Sequence, residues 1–204
     1  MGYVRSPTIS AQPWPAIRLK SRLLADDLSA RAYADCRRAP SYGLRAEAVS
    51  ANFPAVMERM RRIRARISHH DSAARLRDEY GIDVFLGHAA FADDGTVRVG
   101  DAVLRYSRAV IATGARARQP DIPGLGEAGF LTNETVFSLT ERPGRMLVVG
   151  GGPIGSELAQ AFRRFGADVV LVEKHDRILP REASDAAAIV QGRFETEGIE
   201  IIPN

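Results

Sequence analysis

Gly150, Gly152 and Gly155 stand at the spacing G-x-G-x-x-G, with Gly151 and Pro153 between them and Met146 to Val149 running straight into the cluster. A tight turn at Gly150, close backbone approach at Gly152 and close helix–strand packing at Gly155 are what a dinucleotide pyrophosphate needs from such a loop. A helix starting at once behind the loop would aim unpaired N–H groups and its positive dipole end at the same pyrophosphate. Glu173 follows eighteen residues beyond Gly155, at the end of the apolar run Asp168 to Val172. That is where a carboxylate can accept hydrogen bonds from an adenosine ribose.

The elements around these residues fit that chemistry. Ile154, Leu158, Ala161, Phe162 and Phe165 recur at helical spacing and predict one face covering a sheet. Gly166 stops the helix. Asp168 to Glu173 reads as a second, fully buried strand, and Ser184 to Glu197 as another helix. Gly198 to Ile202 begins a third strand. The predicted class is therefore α/β, with a parallel sheet at its centre.

The 204 residues are 45% hydrophobic and 26% charged, with a net charge of +3, which suits a globular domain pair and says little about partners. No apolar run approaches the length needed to cross a bilayer, and no leader is visible, so the expected location is the cytoplasm. The single cysteine, Cys36, excludes an internal disulfide.

The N-terminal part is less regular. Residues 1–27 give no start signal beyond a helical pattern opening near Ala16 and running to Arg38, with Leu19, Leu23, Leu24 and Leu28 on one face. Residues 51–79 predict a long second helix, capped by Asn52, with Val56, Met60, Ile63 and Ile67 as its buried stripe. Arg59, Arg61, Arg62, Arg64 and Arg66 occupy its other faces without aromatic interleaving, the pattern of a solvated helix rather than a nucleic-acid surface. His69-His70-Asp71 holds adjacent histidines that point to different faces, so no metal site is expected. Asp83 to Phe91, Thr96 to Val99 and Val103 to Tyr106 predict an antiparallel meander turned at Gly95 and Gly100, and Ser107 to Gly114 a further apolar strand. Pro120, Pro123 and Gly124 then mark a boundary near residue 119.

In order along the chain, Val110-Ile-Ala-Thr-Gly114, Ile122-Pro-Gly124, Leu131-Thr-Asn-Glu-Thr135, Val148 to Glu157 and Arg177-Ile-Leu-Pro180 resemble the FAD-dependent pyridine nucleotide-disulfide oxidoreductases. The mercuric reductase-like and dihydrolipoamide dehydrogenase-like members are the nearest in pattern. The resemblance implies a partial two-dinucleotide-binding-domain fold: an unassigned segment 1–27, part of an FAD-binding domain over 28–118, and part of an NAD(P)-binding domain over 119–204. It implies that Ala89 and the turn Ala112-Thr113-Gly114 meet FAD. It assigns the pyrophosphate of NAD to Gly150, Gly151, Gly152, Pro153, Ile154 and Gly155. Glu157 would lie beside the nicotinamide–flavin face, and Glu173 at the ribose. A carboxylate there favours NAD over NADP, although Lys174, His175 and Arg177 soften the repulsion of a 2′-phosphate.

The departures are as informative. The family's paired redox cysteines, its first glycine-rich motif, its acid–base histidine and its homodimer-forming domain have no counterpart among these residues, so no catalytic residue is assigned. The expectation is a fragment holding part of the hydride-delivery half of a flavin-dependent disulfide or mercuric ion reductase, inactive alone. Two alternatives stay open: a catalytically inert nucleotide-binding module, and an NADH oxidase-like member of the same fold. Small-molecule cofactors are the expected partners, with neither nucleic acid nor membrane.

Overall fold

The structure is a computed structural model that describes residues 9–10, 28–70, 72–114, 117 and 119–204. The expected start of the first helix, with Leu19, Leu23 and Leu24, lies outside the described residues, as does Asp71. The chain divides into two compact units, Met1–Leu19 with Ile63–Gln119, and Lys20–Arg62 with Pro120–Asn204. One junction between the units lies between Gln119 and Pro120. Residues 28–62, which the sequence groups with the segment up to 118, fall in the second unit.

That second unit is built on a parallel sheet, β6 (Arg145–Val149), β7 (Asp168–Val172) and β8 (Glu200–Ile202), in the order β6-β7-β8. Helix α5 (Pro153–Arg164) joins the first two strands and α6 (Ser184–Glu197) the second two. Met146 pairs with Val169, and Val148 with Leu171, so these four side chains share a face. Val169 and Leu171 there are buried. The opposite face carries Leu147 at 63%, Val149 at 51% and Ile202 at 46% exposure. β7 is thus buried on one side only, not on both as the sequence predicts. Among the described residues a helical layer covers just one face.

The apolar face of α5 also turns out shifted. Ser156, Ala159, Ala161 and Phe162 are buried, whereas Ile154 stays 38% exposed at the mouth of the glycine turn. Phe162 and Phe165 receive the ring of Phe53, with centroids 5.9 Å and 5.8 Å away. Such tilted and edge-on rings bury large apolar area at favourable geometry. This contact fixes the start of α2 (Phe53–His70), whose N-terminus Asn52 caps through Oδ1 to the Ala55 N–H at 3.0 Å. Phe53, Met57 and Met60 form its buried stripe, whereas the sequence predicts Val56, Met60, Ile63 and Ile67, of which only Met60 is buried and the others are half-buried. Helix α1 covers residues 28–37; Ala30 is fully buried, while Leu28 is 57% exposed rather than part of an apolar face. A 3-10 turn, Ala39–Tyr42, closes it on left-handed Gly43.

In the first unit the predicted long helix breaks. A separate helix, α3 (Ala73–Asp78), begins after Ser72, whose hydroxyl accepts the Arg75 N–H at 3.1 Å. A capping serine offers the chain a new start, which divides the helix expected over 51–79. β2 (Val84–Phe85) pairs in parallel with β1 (Ile9–Ser10). An antiparallel meander forms, β3 (Ala89–Asp93), β4 (Thr96–Val99) and β5 (Ala102–Arg105), with Phe91 edge-on to Tyr106, but the single first strand expected over Asp83 to Phe91 is divided, because Val84 and Phe85 pair in another sheet. The strand predicted over Ser107 to Gly114 does not form. Val110 is 91% and Ile111 73% exposed, and no described strand pairs with them. An apolar run makes a strand only where a partner completes its hydrogen bonds.

Candidate functional site

The glycine turn connects β6 to α5, and each glycine there answers a different demand. Gly150 has φ +106°, and its N–H donates to the Val172 carbonyl at 2.8 Å, which ties the turn to the end of β7. A side chain at Gly155 would place its Cβ 1.9 Å from the Gly150 carbonyl oxygen, so only glycine lets the helix approach the turn. Gly151 is wedged as well: a Cβ there would meet Ile178 Cγ2 at 2.9 Å and Leu171 Cδ2 at 3.2 Å. At Gly152 a Cβ would meet nothing within 4 Å. Its backbone is extended, with φ −70°, so neither strain nor crowding within the chain requires glycine at that position. Open space in front of the helix start is what an approaching pyrophosphate would occupy.

Gly152 caps α5 and Pro153 supplies its first residue. Proline there sacrifices no hydrogen bond, because first-turn N–H groups have no intrahelical acceptor. Ser156 N–H already bonds the Gly152 carbonyl at 2.9 Å, and its buried hydroxyl donates to the Gly151 carbonyl at 3.2 Å. The N–H groups of Ile154 and Gly155 stay at the open end of the helix, where its dipole favours an anion.

Glu173 lies directly across this turn. Its carboxylate is nearly buried, and Oε2 accepts the Gly151 N–H at 2.6 Å. Oε1 accepts the His175 N–H at 3.1 Å and touches the His175 Nδ1. Burial pushes its pKa up, but the bonds from His175 and Gly151 outweigh burial and hold the pKa below its ordinary value of 4.5. An ionised Glu173 requires Nδ1 to be the protonated ring nitrogen. Oε1 is filled by its two bonds from His175, whereas Oε2 retains a lone pair for a further donor.

The loop after β7 supports the turn from below. Ile178 is fully buried against Gly151, and the Leu179 N–H donates to the Gly151 carbonyl at 2.8 Å, with Leu179 at φ +50°. Arg177 donates to the carbonyls of Leu179, Pro180 and Glu182 at 3.1, 3.3 and 3.1 Å, so its guanidinium is committed to the loop. Of the cations named as softening a 2′-phosphate, Arg177 and His175 already have protein partners, and Lys174 is exposed. Ile178 and Ser156 are the site residues that sequence reading missed. The signal for Ser156 was its place immediately after Gly155; for Ile178 no local signal distinguishes a buried loop residue.

The structure thus brings Gly150, Gly151, Gly155 and Glu173 together, with Gly152, Pro153 and Ile154 at the rim. Glu157 is exposed on the first turns of α5. Ala89 lies exposed on β3, and Ala112, Thr113 and Gly114 form an exposed segment with Gly114 at φ +70°; these four belong to the other unit. Among the described residues no three of the metal-ligating types cluster, and no helix is long and apolar enough to cross a membrane.

Comparison with known proteins agrees with this geometry. The family model described as pyridine nucleotide-disulphide oxidoreductase matches residues 32–204. The mercuric reductase of Bacillus cereus is 32% identical over 133 residues, covering 65% of this chain and 21% of that protein. Dihydrolipoyl dehydrogenase 2 of Haloarcula marismortui is 38% identical over 129 residues, covering 59% and 27%. Among solved structures, the copper(II) complex of the HOCl-induced flavoprotein disulfide reductase RclA from Escherichia coli superposes with a TM-score of 0.69 at 26% identity, covering 93% of this chain and 39% of that one. A chain matched over most of its length by that family model, with this turn and this fold, belongs to the pyridine nucleotide-disulphide oxidoreductase family. It spans about a quarter of the length of the curated relatives it matches.

A pH prediction follows from two carboxylates of the second unit. Glu197 accepts Arg164 through Nε and Nη2, both at 3.1 Å, and Arg193 Nε at 2.7 Å. Burial raises its pKa, but the Arg164 and Arg193 bonds prevail and lower it from 4.5, as for Glu173. A carboxyl lowered on folding adds stability above its unfolded value, and that contribution is lost as pH falls through the folded value. The melting temperature should therefore drop steeply below the ordinary carboxylate range. Glu197→Gln should cost more stability at neutral pH than at an acid pH below the lowered folded value, where the wild-type group has taken up its proton. Equal losses at both pH values would contradict this assignment.

Proposed function

We propose that the second unit binds a nicotinamide dinucleotide, NAD in preference to NADP. Gly150 to Gly155 would hold the pyrophosphate and Glu173 the adenosine ribose. The observation that carries this reading is the contrast within the motif: Gly155 and Gly151 are glycine for packing, while Gly152 borders open space at a helix start. The residues present fit the group. Glu173 is held ionised and oriented by Gly151 and His175, accepts a 2′-hydroxyl, and repels a 2′-phosphate.

In this reading the chain contributes to a flavin-dependent disulfide or mercuric ion reductase. Bound together, the two cofactors supply hydride transfer from nicotinamide to the flavin ring. The protein's share is to anchor the diphosphate on N–H groups, to fix the ribose, and through Glu157 to border the nicotinamide. Ala89 and the turn Ala112 to Gly114 would meet FAD. The single Cys36 cannot form the redox pair by itself, so these 204 residues leave the thiol step to other residues.

The test is a fluorescence titration of the purified chain with NADH and with NADPH. Tighter binding of NADH is expected, by about tenfold or more if one charge–phosphate repulsion decides the difference. Equal affinities, or a preference for NADPH, would refute the assigned preference. Flavin absorbance retained through purification would support the FAD contacts.

A further inference from the structure

At the far end of α5 from the glycine turn, the second unit holds a cavity of about 530 Å³ lined by Arg37, Arg38, Arg163, Arg164, Arg193 and Glu197, with Thr196 on its wall. α5 is twelve residues long, which separates the two places by about 18 Å. Five cations face one carboxylate across this volume.

Some of this charge has a structural explanation. Arg163 and Arg164 stand in the last turn of α5, where cations offset the negative helix end. Arg163 donates to the Glu197 and Ala167 carbonyls at 2.8 and 3.1 Å and to Asp168 at 3.1 Å, and Arg164 grips Glu197 with two bonds. The remaining cations exceed that need. Arg37 lies over the Tyr33 ring at 5.9 Å and makes no hydrogen bond within the described residues. Among the described residues Arg193 donates only through Nε, to Glu197, and Arg38 only through Nη2, to Asp35 at 2.6 Å. Asp35 and Asp168 are 48% and 79% exposed, so water screens them.

We propose that this cavity binds a small anion carrying two or more linked phosphoryl groups. Guanidinium groups match phosphate oxygens with paired N–H bonds, and several such groups held in place by Glu197, Asp35 and Tyr33 form a preorganised cluster. The volume lies in the range of small-molecule sites and exceeds what one phosphate fills. The site is separate from the nucleotide turn and does not depend on it.

The experiment is calorimetric titration of the purified chain with inorganic tripolyphosphate at fixed ionic strength, alongside orthophosphate, ATP and a short DNA duplex. One saturable tripolyphosphate site is expected, much tighter than for orthophosphate. It should survive Gly152→Val, which fills the nucleotide turn. It should weaken about tenfold in Arg37→Gln, whose guanidinium lies over the Tyr33 ring, and further in the double variant Arg37→Gln/Arg193→Gln, with NADH binding unchanged. ATP binding like tripolyphosphate would mean that the phosphate chain alone is read; ATP binding tighter would identify a nucleotide. Unchanged affinity in both arginine variants, loss of the site in Gly152→Val, or a response to the duplex alone would overturn the proposal.

Discussion

Gly155→Ala is expected to unfold the second unit. The added methyl would lie 1.9 Å from the Gly150 carbonyl oxygen and 3.1 Å from its carbon, both backbone atoms of a turn that Gly150 N–H pins to Val172. No side-chain rotation relieves such a contact. Either α5 lifts from β6, with loss of the packing around Val148, or the turn opens. Rearrangements of this kind cost several kcal/mol against a total stability of about 5–15 kcal/mol. Chemical denaturation should show a midpoint far below wild type, or no cooperative transition. Gly152→Ala provides the contrast, since its Cβ meets nothing within 4 Å and its φ of −70° suits any residue. It should melt close to wild type. A Gly155→Ala variant as stable as Gly152→Ala would mean that the turn is not packed as described.

Glu173→Gln is expected to alter nucleotide choice more than any other substitution that leaves the backbone intact. The wild-type carboxylate accepts Gly151 and His175 and keeps a lone pair on Oε2 for a ribose hydroxyl. A neutral amide has one acceptor oxygen, so it must abandon either Gly151, His175 or the ribose. A hydrogen bond to a charged group is worth about 1.5–3 kcal/mol, which corresponds to about 10–100-fold in affinity. NADH binding should weaken by about that factor. NADPH should weaken less, because the repulsion of its 2′-phosphate is removed at the same time. The ratio of the two affinities is the useful readout, since a general loosening of the turn would lower both alike. An unchanged ratio would remove Glu173 from the selectivity.

The residues that were legible in the sequence are those whose structure is set locally. α6 spans Ser184–Glu197 as read, because a helical period runs into left-handed Gly198. β6, α5 and β7 follow from an apolar run, a glycine turn and a stop at Gly166. The meander follows from turns at Gly95 and Gly100. What the sequence concealed depends on partners distant in the chain. Val110 and Ile111 have strand-forming side chains but no described strand beside them. The choice of Phe53 and Met57 over Val56 as the buried stripe of α2 is made by Phe162 and Phe165, more than 100 residues later. The helix broken at Ser72 shows a cap outweighing an unbroken apolar period.

The candidate site divides the same way. Glycine spacing located the turn, and the end of an apolar strand located the acid. That Glu173 bonds Gly151, that His175 steadies it, and that Ile178 fills the space beneath arise from chain segments brought together only by the fold. The spacing rule already separates Gly152, which the backbone approach needs, from Gly155, which packing needs, and the structure adds Gly151 to the packing glycines.

That separation is also the most direct way to test the account. Wild type and Gly152→Val should be compared for thermal unfolding and for NADH binding by fluorescence titration. The account predicts melting curves that nearly coincide, with saturable NADH binding in wild type and none measurable in the variant. NADH binding of equal strength in both proteins would contradict the assignment of this turn to the dinucleotide.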